Sequence, residues 1–332
     1  MGRAAGGALR RAKGWEWPTL ILIVTVHGGW IAVLAAAGTL GPLPAMALLV
    51  PILVLHASLQ HEVTHGHPTG DARLDDALVF VPLGLAIPYG RFKALHLAHH
   101  HDPNLTDPYD DPETNYWDPA VWVRLPAAVR AVLRANNTLL GRVALGPALG
   151  LLLFWIQEAR SIDRDERGVA RAWLNHGICA LPVVWAVSAS ALPWWAYGGA
   201  IYAATGILRI RTFLEHRAHA LPRARTVVIE DRGPLAFLFL NNNFHALHHA
   251  RPGLAWYVLP AAYVAERAAI LRRNEGYLYR SYAEVARAHL LRPKDPVPHP
   301  YWAGADALPQ AGRAEGAILG AAALARVEPA ER

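Results

Sequence analysis

Nine of the 17 histidines in this chain fall in four short groups whose spacing suits a metal site. The segments HEVTH, HLAHH and HALHH occupy His61–His65, His96–His100 and His245–His249, and His216 directly follows Glu215. Positions i, i+3 and i+4 of a helix project to one side, so each HxxHH segment presents its imidazoles on one face. Neutral imidazole binds iron, copper, nickel and zinc. The candidate ligands are His61, His65, His96, His99, His100, His216, His245, His248 and His249.

Nine imidazoles exceed the ligand set of one tetrahedral ion, so the pattern predicts a centre with more than one metal ion. The rest of the composition predicts a membrane around it. Hydrophobic residues make up 53% of the chain and charged residues 17%, against about 25% charged residues in a soluble protein. Apolar stretches near 18–37, 42–59, 172–189 and 193–210 have the length of a bilayer span, roughly 20 residues. We expect an all-α integral membrane protein with about four transmembrane helices, interfacial helices and a cytoplasmic histidine-rich cap.

Basic residues predict the orientation of these spans. They precede the first and third spans and follow the fourth, whereas the turns within each pair of spans carry no charge. The residues are Arg3, Arg10, Arg11, Lys13, Arg160, Arg164, Arg167, Arg171, Arg209, Arg211 and Arg217. The positive-inside rule then places all four histidine groups on the cytoplasmic side. This predicts a multi-pass protein of the cell's inner (cytoplasmic) membrane, with its metal site facing the cytoplasm.

Two shorter apolar segments cannot be counted as spans without changing the orientation predicted above. Segment 77–89 is broken by Pro82 and Pro88, and segment 142–157 contains Gly146 and Pro147. Both are predicted to be interfacial or re-entrant. Residues 1–302 are expected to form one membrane domain, and the Ala-, Gly-, Pro- and Glu-rich segment 303–332 a flexible tail.

Other function classes explain less of the pattern. His61, Glu62 and His65 also fit an intramembrane zinc metalloprotease, with a glutamate base between two ligands, but HLAHH and HALHH would then have no role. A metal transporter places its ligands near the bilayer midplane, whereas these segments lie beyond the span ends. Interfacial histidines that cluster without a metal are a third interpretation, which the two HxxHH segments disfavour.

The net charge of +6 does not indicate a nucleic-acid partner, because the basic residues flank apolar spans. Anionic lipid headgroups or an acidic electron donor fit this charge better. The single cysteine, Cys179, excludes a disulfide framework and a cysteine-based metal cluster.

Taken together, the motifs resemble a known family. HEVTH, HLAHHHDPNLTDPYDDPE, FLEHRAH and NNNFHALHHARPG are similar to the membrane fatty-acid desaturase superfamily, whose relatives include alkane hydroxylases and carotenoid hydroxylases and ketolases. The resemblance covers residues from about 55 to 260. It implies a membrane stem with a cytoplasmic cap that holds two iron ions, a non-haem di-iron centre. The nine histidines named above match the family's ligand positions.

The resemblance implies an O2-dependent oxidoreductase acting on a lipid acyl or alkyl chain, most simply a fatty-acid desaturase. The alternative is a hydroxylase or ketolase of a lipid, an alkane or a carotenoid, because one site can serve either outcome. The sequence has no Gly-rich dinucleotide turn, cysteine cluster or haem domain. Electrons are therefore expected from an external donor such as a ferredoxin-like protein.

Carboxylates are expected behind the ligands, because a ligating imidazole usually donates its other N–H to an acceptor. The candidates are Glu62, Asp107, Asp110, Asp111 and Glu215, with Asn241 and Asn242 on the face of His245. His101 and His67 lie about 140° and 120° around a helix from the first histidine of their groups, so both are expected to point away from the metals. His219 is a weaker competitor for the role of His216.

Overall fold

Helices make up most of residues 14–302, the part of the chain that this computed structural model describes. The first seven are α1 (Trp17–Leu40), α2 (Pro42–Thr64), α3 (Ala72–Val79), α4 (Tyr89–His101), α5 (Pro119–Arg124), α6 (Ala127–Asn136) and α7 (Leu139–Ala144). They are followed by α8 (Gly146–Asp163), α9 (Val169–Ala189), α10 (Trp194–Thr212), α11 (Pro234–Leu238), α12 (His245–Ala250), α13 (Leu259–Arg273) and α14 (Tyr282–His289). Two short parallel strands, β1 (Val228–Ile229) and β2 (Leu278–Tyr279), and a 3-10 turn at Pro222–Ala224 complete the described elements.

Three of these helices are long and apolar enough to cross a bilayer, namely α1, α2 and α9. They cover three of the four expected spans. The fourth expected span forms α10, which carries Arg209 and Arg211 in its last turn and is long enough but less apolar than the other three. The expected all-α architecture is therefore confirmed, and the described residues contain three helices that could span a membrane.

The hairpin of α1 and α2 turns at a single glycine. Gly41 has φ +77°, a left-handed conformation that favours glycine, and its N–H donates to the carbonyl of Ala37. Pro42 then begins α2, where its fixed φ suits a first helical turn and its missing N–H costs nothing. The local sequence thus ends one span and starts the next without a loop.

Helix α2 lies at the centre of the bundle, packed against both α1 and α10. Trp30 on α1 donates its indole N–H to the hydroxyl of Tyr197 on α10 at 3.0 Å, and that hydroxyl donates to the carbonyl of Leu83 at 2.6 Å. Large apolar side chains on the outer faces stay exposed, among them Val24 on α1 and Trp185 on α9. Such exposed apolar faces are expected where lipid replaces water.

Residues 80–88 contain no helix, although the apolar segment 77–89 begins in α3. Their carbonyls are satisfied by side chains from three helices: Tyr197 bonds Leu83, His176 bonds Leu85 at 2.8 Å, and Trp155 bonds Ala86 at 3.0 Å. Irregular backbone can lie at membrane depth only where the protein satisfies it in this way. The re-entrant interpretation of this segment remains a prediction.

Segment 142–157 spans the end of α7 and most of α8, which begins at Gly146 with Pro147 in its first turn. Glu158 on α8 is buried and holds Arg91 of α4 in a two-bond ion pair at 2.7 and 2.9 Å. The same carboxylate accepts the indole N–H of Trp173 on α9. Glu158 therefore ties α8 and α9 to the helix that carries HLAHH.

Two sequence predictions lie outside the described residues. They are the flexible tail at 303–332 and the basic group of Arg3, Arg10, Arg11 and Lys13.

Candidate metal centre

Three helices bring the histidine segments together. HEVTH ends α2, with His61 inside the helix and His65 at its C-cap. HLAHH forms the last part of α4, and HALHH forms nearly all of the six-residue α12. Left-handed Leu240 and Asn241, with φ of 50° and 57°, redirect the chain just before α12. Helical spacing within each segment is thus realised, as the sequence predicts.

His216 reaches the site through a different kind of structure. It follows α10 in an extended segment that pairs with Thr226 in an antiparallel bridge. The N–H of Val227 donates to the carbonyl of Glu215, and the N–H of Ala246 on α12 donates to the carbonyl of Val227. This backbone ladder sets the distance between His216 and HALHH, which no local pattern in the sequence specifies.

The nine candidate histidines form two adjacent groups. We call them the five-histidine group, which is His61, His65, His96, His100 and His248, and the four-histidine group, which is His99, His216, His245 and His249. Within each group one ring nitrogen per residue lies within 4.8 Å of all the others. The rings of His100 and His249 stack across the boundary at 4.2 Å, with 14° between their planes.

The sharing of each helix between the groups follows the helical phase. On α4, His96 and His100 are four residues apart and join the five-histidine group, while His99 turns to the other group. On α12, His245 and His249 stay together and His248 crosses over. An i, i+4 pair is nearly eclipsed along the helix axis, whereas the third histidine is rotated by about 60–100° from it. One short helix can therefore supply both groups.

Distances between the ring nitrogens fit shared metal ions. Nε2 of His65 lies 3.1 Å from Nε2 of His96, and Nε2 of His100 lies 3.2 Å from Nε2 of His248. In the four-histidine group, Nε2 of His216 lies 3.0 Å from Nε2 of both His99 and His245. Metal–imidazole bonds of about 2.0–2.1 Å at angles near 90–110° separate two ligand nitrogens by about 3 Å. The donor set therefore fits metal ions in both groups.

Buried nitrogen atoms without a protein partner support the same conclusion. Nε2 of His61 and Nε2 of His249 are buried and accept or donate no hydrogen bond within the described part of the chain. A buried polar atom left in this state normally costs free energy. A metal ion held by these nitrogens would remove that cost.

Carboxylate or amide oxygens behind the rings orient three of the histidines. The Nδ1 atom of His99 lies 2.7 Å from Asp111, and that of His96 lies 2.8 Å from Glu113. A proton on each Nδ1 would be donated to these carboxylates, which leaves Nε2 free for a metal. His245 has its Nδ1 3.3 Å from Oδ1 of Asn242 and 3.7 Å from Glu215.

The electrostatics favour neutral rings over most of the site. Burial, with the neighbouring rings His96 and His99, lowers the pKa of His100 to about 3. Burial and adjacent rings likewise hold the pKa of His248 and His249 well below the ordinary value. Neutral imidazoles keep the lone pair that a metal requires.

His99 is the exception among these rings, and its pKa is coupled to that of the nearby Glu113 carboxylate. Burial disfavours a charged His99 ring, but Asp111 and Glu113 outweigh it and raise the pKa of His99 to about 9. Burial would raise the pKa of Glu113, yet His99 and His96 hold it below its usual value. A metal ion binding at His99 would displace the extra proton, so metal binding is linked to proton release.

The expected carboxylates divide into two kinds. Asp111 and Glu215 face rings of the candidate ligands His99 and His245. Asp107 and Asp110 instead bond within the loop: Asp107 accepts the N–H groups of Tyr109 and Asp110, and Asp110 accepts the side-chain amide of Asn104. Glu113 was missed by sequence reasoning. The available signal was its place two residues after Asp111 in the same acidic loop.

Glu62 has a different role from the one expected. Its carboxylate accepts the N–H of Trp256 at 2.8 Å and lies 3.8 Å from Nε2 of His67. His67 in turn bonds Glu16 at 2.6 Å. These contacts join the ends of α1 and α2 to the chain that follows α12, and they include no hydrogen bond from Glu62 to the nine rings.

Three further residues weighed in the sequence analysis, two as competing ligands and one as a partner of His245, lie elsewhere. His101 bonds the carbonyl of Leu97 on its own helix, and His219 accepts the N–H of Leu221. Asn241 bonds the carbonyl of Trp256 rather than facing His245. None of the three belongs to either histidine group.

The contact between Asp111 and His99 can be tested by removing the carboxylate. Asp111→Ala is expected to weaken Fe2+ binding about 10–100-fold, the usual effect of losing an acceptor behind a ligating imidazole. Competition with a chromogenic chelator measures the affinity. Asp110→Ala in the same loop is the matched control and should stay within about twofold, because Asp110 contacts no ligand ring. Equal affinity in the two variants would contradict the assigned role of Asp111.

Comparison with known proteins agrees with this geometry. A family model described as Fatty acid desaturase matches residues 37–282, a segment that contains all nine histidines. Among curated proteins, none matches the chain.

Proposed function

The chain belongs to the fatty acid desaturase family, and from that membership we propose that it is an O2-dependent di-iron oxidoreductase that introduces a double bond into a lipid acyl chain. The observation that carries this proposal is the pair of adjacent imidazole groups, five and four histidines, beside helices long enough to span a membrane. The five-histidine group would hold one iron ion and the four-histidine group the other. Iron bound there would supply O2 activation and hydrogen abstraction from an unactivated C–H bond.

The overall reaction balances with two electrons from outside the chain. A CH2–CH2 unit, one O2, two electrons and two protons give a CH=CH unit and two molecules of water. The sequence has one cysteine and no Gly-rich dinucleotide turn, so we assign electron delivery to a separate carrier of the ferredoxin-like class. The same centre would produce an alcohol or a ketone if oxygen were returned to the substrate.

The protein's own residues hold the centre in place and keep it dry. Asp111, Glu113 and the Asn242–Glu215 pair fix the ring orientations through Nδ1. Phe92 stacks on the ring of His96 with 14° between the planes and covers one side of it. Excluding water in this way protects a reactive site from side reactions.

For the membrane arrangement we propose α10 as a fourth span beside α1, α2 and α9. Helix α10 has 19 residues and packs against α2, so its polar last turn would lie at the cytoplasmic boundary. The basic residues around the spans support an inner-membrane protein with its metal site on the cytoplasmic side.

Metal analysis of the purified protein tests the proposal. In detergent, the protein is expected to carry about two irons per chain, since two groups of imidazole ligands are present. Inductively coupled plasma mass spectrometry against quantitative amino-acid analysis gives the ratio. One tightly held zinc ion without iron would contradict the oxidoreductase and favour the metalloprotease that uses His61, Glu62 and His65.

A further inference from the structure

An arginine-rimmed cavity leads from the protein surface to one of the metal-site histidines. Its volume is about 350 Å³, and its lining comes from the loop after α4, the turn near Pro222, and helices α12 and α13. Of the nine candidate ligands, His249 is the one that lines it. The ring of His249 also stacks on His100 of the five-histidine group. The cavity therefore reaches the four-histidine group directly and lies one side chain away from the five-histidine group.

The charges around the cavity are unevenly compensated. Arg223 pairs with Glu275 at 3.1 Å, and Arg251 pairs with Glu266 at 2.6 Å. Arg273 lines the cavity and Arg272 precedes it on α13, both exposed. Neither has an ion pair with any described residue. The surplus positive charge thus lies on the exposed end of α13, beside the mouth of the cavity.

This distribution fits a protein partner better than a small anion. The two arginines with acidic partners, Arg223 and Arg251, are already neutralised, and the unpaired arginines are exposed rather than turned into a closed pocket. An exposed patch of one sign accelerates encounter with a partner of the opposite sign over a distance. Such a patch does not enclose its partner, whereas a site for a small anion normally surrounds it.

We propose that the surface formed by the C-terminal end of α13 and the cavity over His249 is the docking site of an acidic one-electron carrier protein. This inference rests on the proposed function, because it assigns the place where the external donor delivers its electrons. Each reduced carrier gives up one electron and leaves oxidised, so two dockings supply the two electrons of one turnover. Of the nine candidate ligands, His249 would lie nearest to the docked partner, because it is the one that lines the cavity.

The test uses reduced plant-type [2Fe–2S] ferredoxin as the acidic carrier and the iron-loaded, full-length protein in detergent. Stopped-flow absorbance under anaerobic conditions follows ferredoxin reoxidation. Arg272→Glu with Arg273→Glu is expected to lower the second-order rate constant about tenfold or more at low ionic strength. The difference should shrink at high salt, because salt screens exposed charges.

The matched control places the same charge change elsewhere. Arg287→Glu with Arg292→Glu alters two exposed arginines that do not line the cavity, and its rate should stay within about twofold of wild type. Equal slowing in both double variants, or in neither, would overturn the docking site. A failure of ferredoxin to reduce the wild type would also overturn it. If the Arg272→Glu, Arg273→Glu variant loses binding to phosphatidylglycerol vesicles while its reduction by ferredoxin is unchanged, the surface would be assigned to lipid instead.

A neutral small reductant separates this proposal from the proposed function. Photoreduced deazaflavin should reduce the wild type and both double variants equally, with equal iron content, because it needs no charged docking surface. If deazaflavin cannot reduce the iron-loaded wild type, the di-iron function itself fails. If deazaflavin reduces every variant but the ferredoxin rates do not separate, only the docking site fails.

Discussion

Replacing His100 with alanine is expected to remove iron and abolish activity, whereas replacing the neighbouring His101 should leave both nearly intact. His100 lies in the five-histidine group and stacks on His249, while His101 is exposed and bonds Leu97 of its own helix. Loss of an acceptor behind a ligand already costs about 10–100-fold in metal affinity, so loss of a ligand should exceed that. His61→Ala, His99→Ala and His248→Ala should behave like His100→Ala.

Iron content, measured on protein of matched circular dichroism spectrum, decides this prediction. The His100 and His101 variants are a close pair, because they remove the same side chain from adjacent positions of α4. Equal loss of iron in both would show that the helical phase of HLAHH is misassigned. His67→Ala is a poorer control than the sequence suggests, because His67 is buried and bonds Glu16; a loss of thermal stability is expected there, with iron binding retained.

The second large effect concerns the product. Cells that express the protein with a compatible electron donor are expected to contain lipids lighter by two hydrogen atoms, from a new double bond. The reason is the match to the fatty acid desaturase family. Two hydrogen abstractions from neighbouring carbons give a double bond without oxygen transfer to the chain, and only the placement of the second C–H bond separates this outcome from hydroxylation. Lipid mass spectrometry of wild type against His248→Ala measures it, and the variant should show no product.

Other mass changes would redirect the assignment. A gain of one oxygen atom in an acyl chain, dependent on His248, would mean hydroxylation. A gain of one oxygen with loss of two hydrogens on a carotenoid would mean ketolation. Either result would be compatible with the proposed metal centre but would overturn desaturation as the reaction.

Local patterns in the sequence were enough to identify the nine candidate histidines and the apolar helices. The i, i+3 and i+4 spacing of HLAHH and HALHH survives folding because it depends on the helix alone. The apolar runs of α1, α2 and α9 are likewise properties of single segments. For α10 the local signal was weaker, since Arg209 and Arg211 occupy its last turn.

Contacts between distant segments required the tertiary structure. The division into five and four histidines depends on how α4 faces α12, for example on the approach of His100 to His248 across 148 residues. Glu113 acts on His96 because the acidic loop folds back over α4. The sequence by itself determined which residues could bind metal and which segments could enter a membrane. Tertiary structure decided which histidines lie close enough to share an ion and which carboxylates contact them, because these depend on distances between side chains that the local backbone does not set.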